Sequence, residues 1–118
     1  MLARRRSPRA QPGAFARSAP VFAALGDATR LRLVARLGRE GPLSIARLTD
    51  GTDVTRQAIT KHLRVLADAG LAHGVRQGRE QVWQLEAARL EEARRSLEVV
   101  ARRWDEALLR LKAALEEG

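Results

Sequence analysis

Residues 52–70, TDVTRQAITKHLRVLADAG, decide how the rest of the chain is read. Thr55 carries the side-chain oxygen that an N-cap needs, and Gly70 stands just past the last periodic residue, where helices commonly end. At about 100° per residue, Ile59, Leu63 and Leu66 fall on one face, while Gln57, Thr60, Lys61, Arg64 and Asp68 fall on the other. One face packs and the other meets solvent or a ligand. Its chemistry suits a polyanion with readable edges: Gln binds adenine bidentately, Arg or Lys binds guanine, and a Thr methyl touches thymine. A solvated surface helix would share the periodicity, so the neighbouring segments decide between the two.

Upstream, Ser44 reads as the N-cap of a short helix, SIARLTDG, with Ile45 and Leu48 turned inward and Asp50-Gly51 closing it. Two short helices joined by a tight, Gly-containing turn, the second bearing the basic polar face, form a helix-turn-helix. Before them, Asp27 caps DATRLRLVARLG, whose Leu31, Leu33, Val34 and Leu37 make a buried face and which Gly38 is expected to stop. Val21, Phe22 and Leu25 predict a first helix of barely two turns. Residues 1–19 lack helical periodicity and read as a basic, mobile arm; its role in DNA contact stays open.

Downstream, the period changes to two. Leu71, His73 and Val75, then Gln81, Trp83 and Leu85, alternate with their neighbours around Gln77-Gly78, the glycine supplying the positive φ of a tight hairpin. Arg76 and Arg79 flank its tip, so the hairpin reads as a wing aimed at the phosphate backbone or minor groove. From Ala87 to Glu117 there is neither glycine nor proline, and Leu90, Leu97, Trp104 and Leu111 recur every seven residues, with Ala101, Leu108 and Leu115 beside them. A helix of about 45 Å carries more apolar stripe than one small domain covers. The expected interface with a second copy comprises Val21, Phe22, Leu25, Leu97, Val100, Trp104, Leu108, Leu111 and Leu115.

The fold expected is therefore mainly α with a small β-hairpin wing: an arm at 1–19, a winged helix-turn-helix at 20–86 and a dimerisation helix at 87–118. At 118 residues one domain is expected, with a modest core that a second copy completes. Lys and Arg number 22 against 14 acids. Residues 1–18 hold five arginines and no acid, and a second cluster of Arg56, Lys61, Arg64, Arg76 and Arg79 coincides with the reading helix and the wing. Cysteine is absent, which excludes disulfides, thiolate nucleophiles and cysteine-ligated metals and agrees with a reducing cytoplasm. No run approaches the ~20 apolar residues of a membrane span. The N-terminus lacks the apolar core of a secretory signal, although an organellar transit peptide shares its composition.

The wording VFAALGDATRLRLVARL (21–37), LSIARLTDGTDVTRQAITKHLRVLADAGLA (43–72) and GREQVWQL (78–85) resembles the ArsR/SmtB family of bacterial winged-helix repressors. The resemblance covers about residues 20–86, and TRQAITKHLRVLADAGL is its most specific part. The tail WDEALLRLKAALEE looks like a metal-independent subgroup, often encoded beside small START-like lipid-binding proteins. The resemblance implies a homodimer built from the first and last helices that binds an inverted repeat in a promoter and represses transcription. Metal-sensing members carry cysteines on the third helix or a histidine and carboxylate pattern on the last; SIARLTDG has no cysteine and residues 87–118 no histidine. His62, on the flank of the reading helix, and His73, in the first wing strand, do not assemble the three or four ligands zinc needs. No metal and no cofactor are expected.

The function expected is sequence-specific binding of double-stranded DNA, with Gln57, Thr60, Lys61 and Arg64 on base edges, Ser44, Arg56, Arg76 and Arg79 on phosphates, and His62 packed at the helix flank or on phosphate. The alternative is a winged-helix protein-interaction module docking a partner on its last helix. An enzyme is not expected, because no phosphate-cradling loop, metal box or nucleophile-base pattern is present.

Overall fold

The computed structural model describes residues 11–117. Helix α1 (Gln11–Leu25) leads into α2 (Ala28–Glu40), the two-residue strand β1 (Leu43–Ser44), α3 (Ile45–Thr49) and α4 (Arg56–Asp68). Strands β2 (Ala72–Gln77) and β3 (Glu80–Leu85) follow, and α5 (Ala87–Glu117) closes the chain.

The first helix departs from expectation. Residues 11–19, read as arm, are helical and continue unbroken through Pro20; the rest of the expected arm, 1–10, lies outside the described residues. Pro20 lacks the N–H that would bond to the carbonyl of Ala16. Both residues are exposed, so that carbonyl is not stranded in the core. The helix persists because its other face is fully used: Ser18, Val21 and Ala24 are buried, Ser18 Oγ lies 3.1 Å from Ser96 Oγ on α5, and Arg17 Nε donates to Glu92 at 2.7 Å. Tertiary packing outweighs a poor local pattern.

The caps follow local chemistry. Asp27 Oδ2 accepts from Arg30 N at 3.0 Å, Ser44 Oγ from Arg47 N at 3.2 Å and Thr55 Oγ1 from Ala58 N at 3.1 Å. Gly38, expected to end α2, lies inside it; the stop is Gly41, at φ 83°, whose N–H bonds to Leu37 O. Helix α4 ends in a Schellman motif, with Leu71 N to Leu66 O and Gly70 N to Ala67 O each at 2.9 Å, and Gly70 at φ 80°.

The sheet has three strands where the periodicity predicts two. Its order is β1-β3-β2, all antiparallel, with Leu43 opposite Trp83 and Ser44 opposite Val82. Flanked on both sides, β3 buries both Val82 and Trp83, which breaks simple alternation. The wing loop is Gly78-Arg79, with Gln77 facing Glu80; a positive φ of 61° at Gly78 alone matches a type II′ turn.

Leu33, Leu37, Leu48, Ile59, Leu63, Leu66 and Leu71 form the centre of one core. The beginning of α5 belongs to it: Ala93 and Ser96 are buried and Leu90 packs against the cluster. The expected division at residue 87 thus passes through packed structure. From residue 100 to 117 every residue of α5 is exposed and the helix projects from the packed body, the two together extending over 63 × 49 × 20 Å.

A candidate nucleic-acid interface on α4 and the wing

Helix α4 is amphipathic because its two faces have different jobs. Ile59, Leu63 and Leu66 are at most 1% exposed and hold the helix on the core. On the outer side, Arg56, Gln57, Thr60, Lys61 and Arg64 line one shallow depression of about 430 Å³. These are the five α4 side chains assigned to DNA from sequence apart from His62, and the fold gathers them on a single surface. Thr60 Oγ1 donates to Arg56 O at 2.9 Å, which leaves that hydroxyl able to accept.

His62 does not share this surface. It turns toward the start of α2, where its Nδ1 lies 3.2 Å from Arg30 Nη1 and 3.8 Å from Asp27 Oδ2. Because a guanidinium only donates, the bonded Nδ1 is the acceptor and Nε2 carries the proton. Asp27's carboxyl is held below the usual carboxylate range, first by the Arg30 backbone N–H and then by the Arg30 charge. Arg30 also donates through Nε to Ala24 O. It therefore ties the end of α1, the cap of α2 and the flank of α4 together, a positioning role that the sequence reading missed. The available signal was its place three residues after the Asp27 cap.

Ser44 is also corrected. It is buried, paired in β1 opposite Val82, and its oxygen caps α3, so it is not presented to a phosphate. Arg76 and Arg79 are both exposed on the wing. Glu80 follows them directly and faces Gln77 across the turn, so the tip is less basic than a reading ending at residue 79 suggests.

Of the expected interface residues, Val21 is only 1% exposed and belongs to the chain's own core. Phe22 and Leu25 are half-buried against that core. Leu97, Val100, Trp104, Leu108, Leu111 and Leu115 are all exposed along α5, Trp104 by 64% and Leu115 by 73%. Single exposed apolar residues are ordinary, whereas a continuous stripe of this length is not. Among the described residues, no group of three His, Asp or Glu side chains is placed to hold a metal, and no helix is long and apolar enough to cross a membrane.

A helix-turn-helix followed by a hairpin wing, with an exposed basic and amide-bearing face on its second helix, defines the winged helix-turn-helix class of proteins. A family model described as a helix-turn-helix domain matches residues 25–75. An uncharacterized HTH-type transcriptional regulator of Bacillus subtilis (strain 168), YuzN, is 41% identical over 68 residues, covering 52% of this chain and 74% of the relative. The HTH-type transcriptional regulator Rv2034 of Mycobacterium tuberculosis is 38% identical over 85 residues, covering 72% of this chain and 76% of the relative. Among solved structures, an ArsR-like transcriptional regulator from Rhodococcus sp. RHA1 superposes with a TM-score of 0.70 at 40% identity, covering 86% of this chain and 94% of that one. The chain belongs to the ArsR family of winged helix-turn-helix, DNA-binding transcriptional regulators.

Proposed function

We propose that the chain is a cytoplasmic, homodimeric repressor that reads an inverted-repeat operator. Gln57, Thr60, Lys61 and Arg64 address base edges in the major groove, while Arg56, Arg76 and Arg79 hold phosphates on either side. The observation that carries this reading is the single depression formed by Arg56, Gln57, Thr60, Lys61 and Arg64 on a helix whose opposite face is locked in the core. Rigid mounting matters because base readout needs side chains held in register with the groove. The exposed α5 stripe supports pairing with a second copy, which would place two α4 helices on half-sites about 10 bp apart or a multiple of that.

The test is selection of bound fragments from random DNA at near-physiological salt, with wild type and a Gln57→Ala, Arg64→Ala double variant side by side. Wild type alone enriches one inverted repeat. Sequence-blind, salt-sensitive binding by both proteins would remove the reader assignment. The α5 stripe also admits a different protein partner, and light scattering separates the cases: a dimer at micromolar concentration favours self-pairing, a monomer the partner.

A further inference from the structure

Away from the reading face, α2 and the turn between α3 and α4 enclose an open cleft of about 590 Å³, within the size range of small-molecule sites. Its floor is aliphatic. Leu33, Leu48 and Ile59 are buried there, with Val54 half-buried beside them. Its rim carries Arg32, Arg36 and Arg39, spaced i, i+4, i+7 along one stripe of α2. The described lining holds one acid, Asp53, against these three cations.

The three guanidiniums are not equivalent. Arg36 is engaged, its Nε donating to Glu40 at 3.0 Å and its Nη1 to Leu48 O at 3.5 Å. Arg32 leans on a neutral partner, Thr29 Oγ1, at 3.4 Å, and Arg39 forms no ion pair with any described residue. Two cations at the mouth of an aliphatic cleft are thus without an ion-pair partner among the described residues. Their complement is an anion carrying an apolar body; with no aromatic ring in the described lining to stack on, that body is best an aliphatic chain.

The cleft also sits where occupancy has a consequence. Leu48 belongs to α3, Ile59 to α4, and residues 51–54 form the turn between them. We propose that this cleft binds an acyl-chain carboxylate, its chain on the aliphatic floor and its headgroup on Arg32 and Arg39, and that its entry reseats α3 against α4 and weakens DNA binding. The second half rests on the DNA-reading function proposed above.

The test uses the full chain with decanoate as probe, and decanol and acetate as its two halves, followed by calorimetry and backbone amide shifts. Decanoate binds one per chain and moves the amides of Leu48, Val54 and Ile59, while decanol and acetate bind about tenfold more weakly or worse. Ala35→Trp, which fills the cleft from an exposed position on α2, abolishes binding, and Arg32→Ala with Arg39→Ala weakens it by about tenfold. Decanoate then releases the selected operator from wild type but not from Ala35→Trp. Equal decanoate binding by wild type and Ala35→Trp would place the chain on the α5 stripe and overturn the site. Cleft binding with unchanged DNA affinity overturns the coupling. Loss of DNA affinity in the arginine variant, with no decanoate binding by wild type, assigns the rim to the DNA backbone and overturns the proposal. The ligand measurements contain no DNA, so failure of the DNA-reading function leaves them decisive.

Discussion

Ser96→Ala should destabilise the protein far more than the loss of one oxygen atom suggests. Ser18 and Ser96 are buried where α1 meets α5, with their hydroxyls 3.1 Å apart. One hydroxyl donates to the other, so deleting either strands its partner in the core. An unpaired buried polar group costs about 1–3 kcal/mol, whereas removing both partners of a pair is close to neutral. Each single alanine variant is therefore expected to lose about 1–3 kcal/mol, and the double variant about 1 kcal/mol or less. The coupling is therefore at least as large as one single loss and approaches the sum of both as the double variant nears neutrality. Urea melts followed by circular dichroism, run at one fixed chain concentration because self-association adds to apparent stability, give the four values. Additive losses in the double variant would refute the reasoning, since they would mean that each hydroxyl is satisfied by the carbonyl one turn back in its own helix.

Other expectations follow from single features. Trp104→Glu, at an exposed position on the α5 stripe, leaves the circular dichroism spectrum intact but weakens dimerisation by about 2 kcal/mol or more, roughly 30-fold, read by light scattering across a dilution series. Gly70→Ala forces a Cβ into φ 80° and to within 3.0 Å of Arg89 Nε, and loses about 1–2 kcal/mol in the same melts; a change below experimental error would show that the turn relaxes. The Glu92 carboxyl is held below its ordinary value of 4.5, chiefly by the hydrogen bond from Arg17. Its contribution to stability is complete above the unfolded value and fades as pH falls through the lowered folded value. Glu92→Gln should therefore flatten the acid side of the stability curve below about pH 4.5, and a curve of unchanged slope would remove that pair from the account.

What was legible in the sequence was local. Asp27, Ser44 and Thr55 cap helices because a short oxygen-bearing side chain reaches its own backbone three residues on, an interaction that needs no other part of the chain. The 3.6-residue period of α4 and the uninterrupted run of α5 were readable for the same reason. What escaped was set at a distance. Gln11–Ala19 is helical because Ser18 and Arg17 find partners on α5, some 75 residues away. His62 falls on the flank of the helix by count, and only the packing of α2 beside it gives it Arg30 and Asp27 as neighbours rather than a phosphate. Val21 looked like an interface residue because an apolar stripe does not say which surface covers it; here it is the chain's own core. Gly38 and Gly41 are indistinguishable as helix stops by composition, and only Gly41 adopts the left-handed φ.

Ser44 is at once the last residue of β1 and the cap of α3, and β1 exists only because β3 lies alongside it. Leu43 thus waits for Trp83, some 40 positions later in the chain. During synthesis, the helix-turn-helix emerges from the ribosome before the strand that anchors its entrance. A fragment trimmed to the helices alone, ending near Leu71, would keep every base-reading side chain and lose the brace beneath α3. The smallest portable unit for grafting this DNA reader onto another protein therefore includes the far strand of the wing, and because Leu90, Ala93 and Ser96 pack into the same core its cut belongs beyond Ser96.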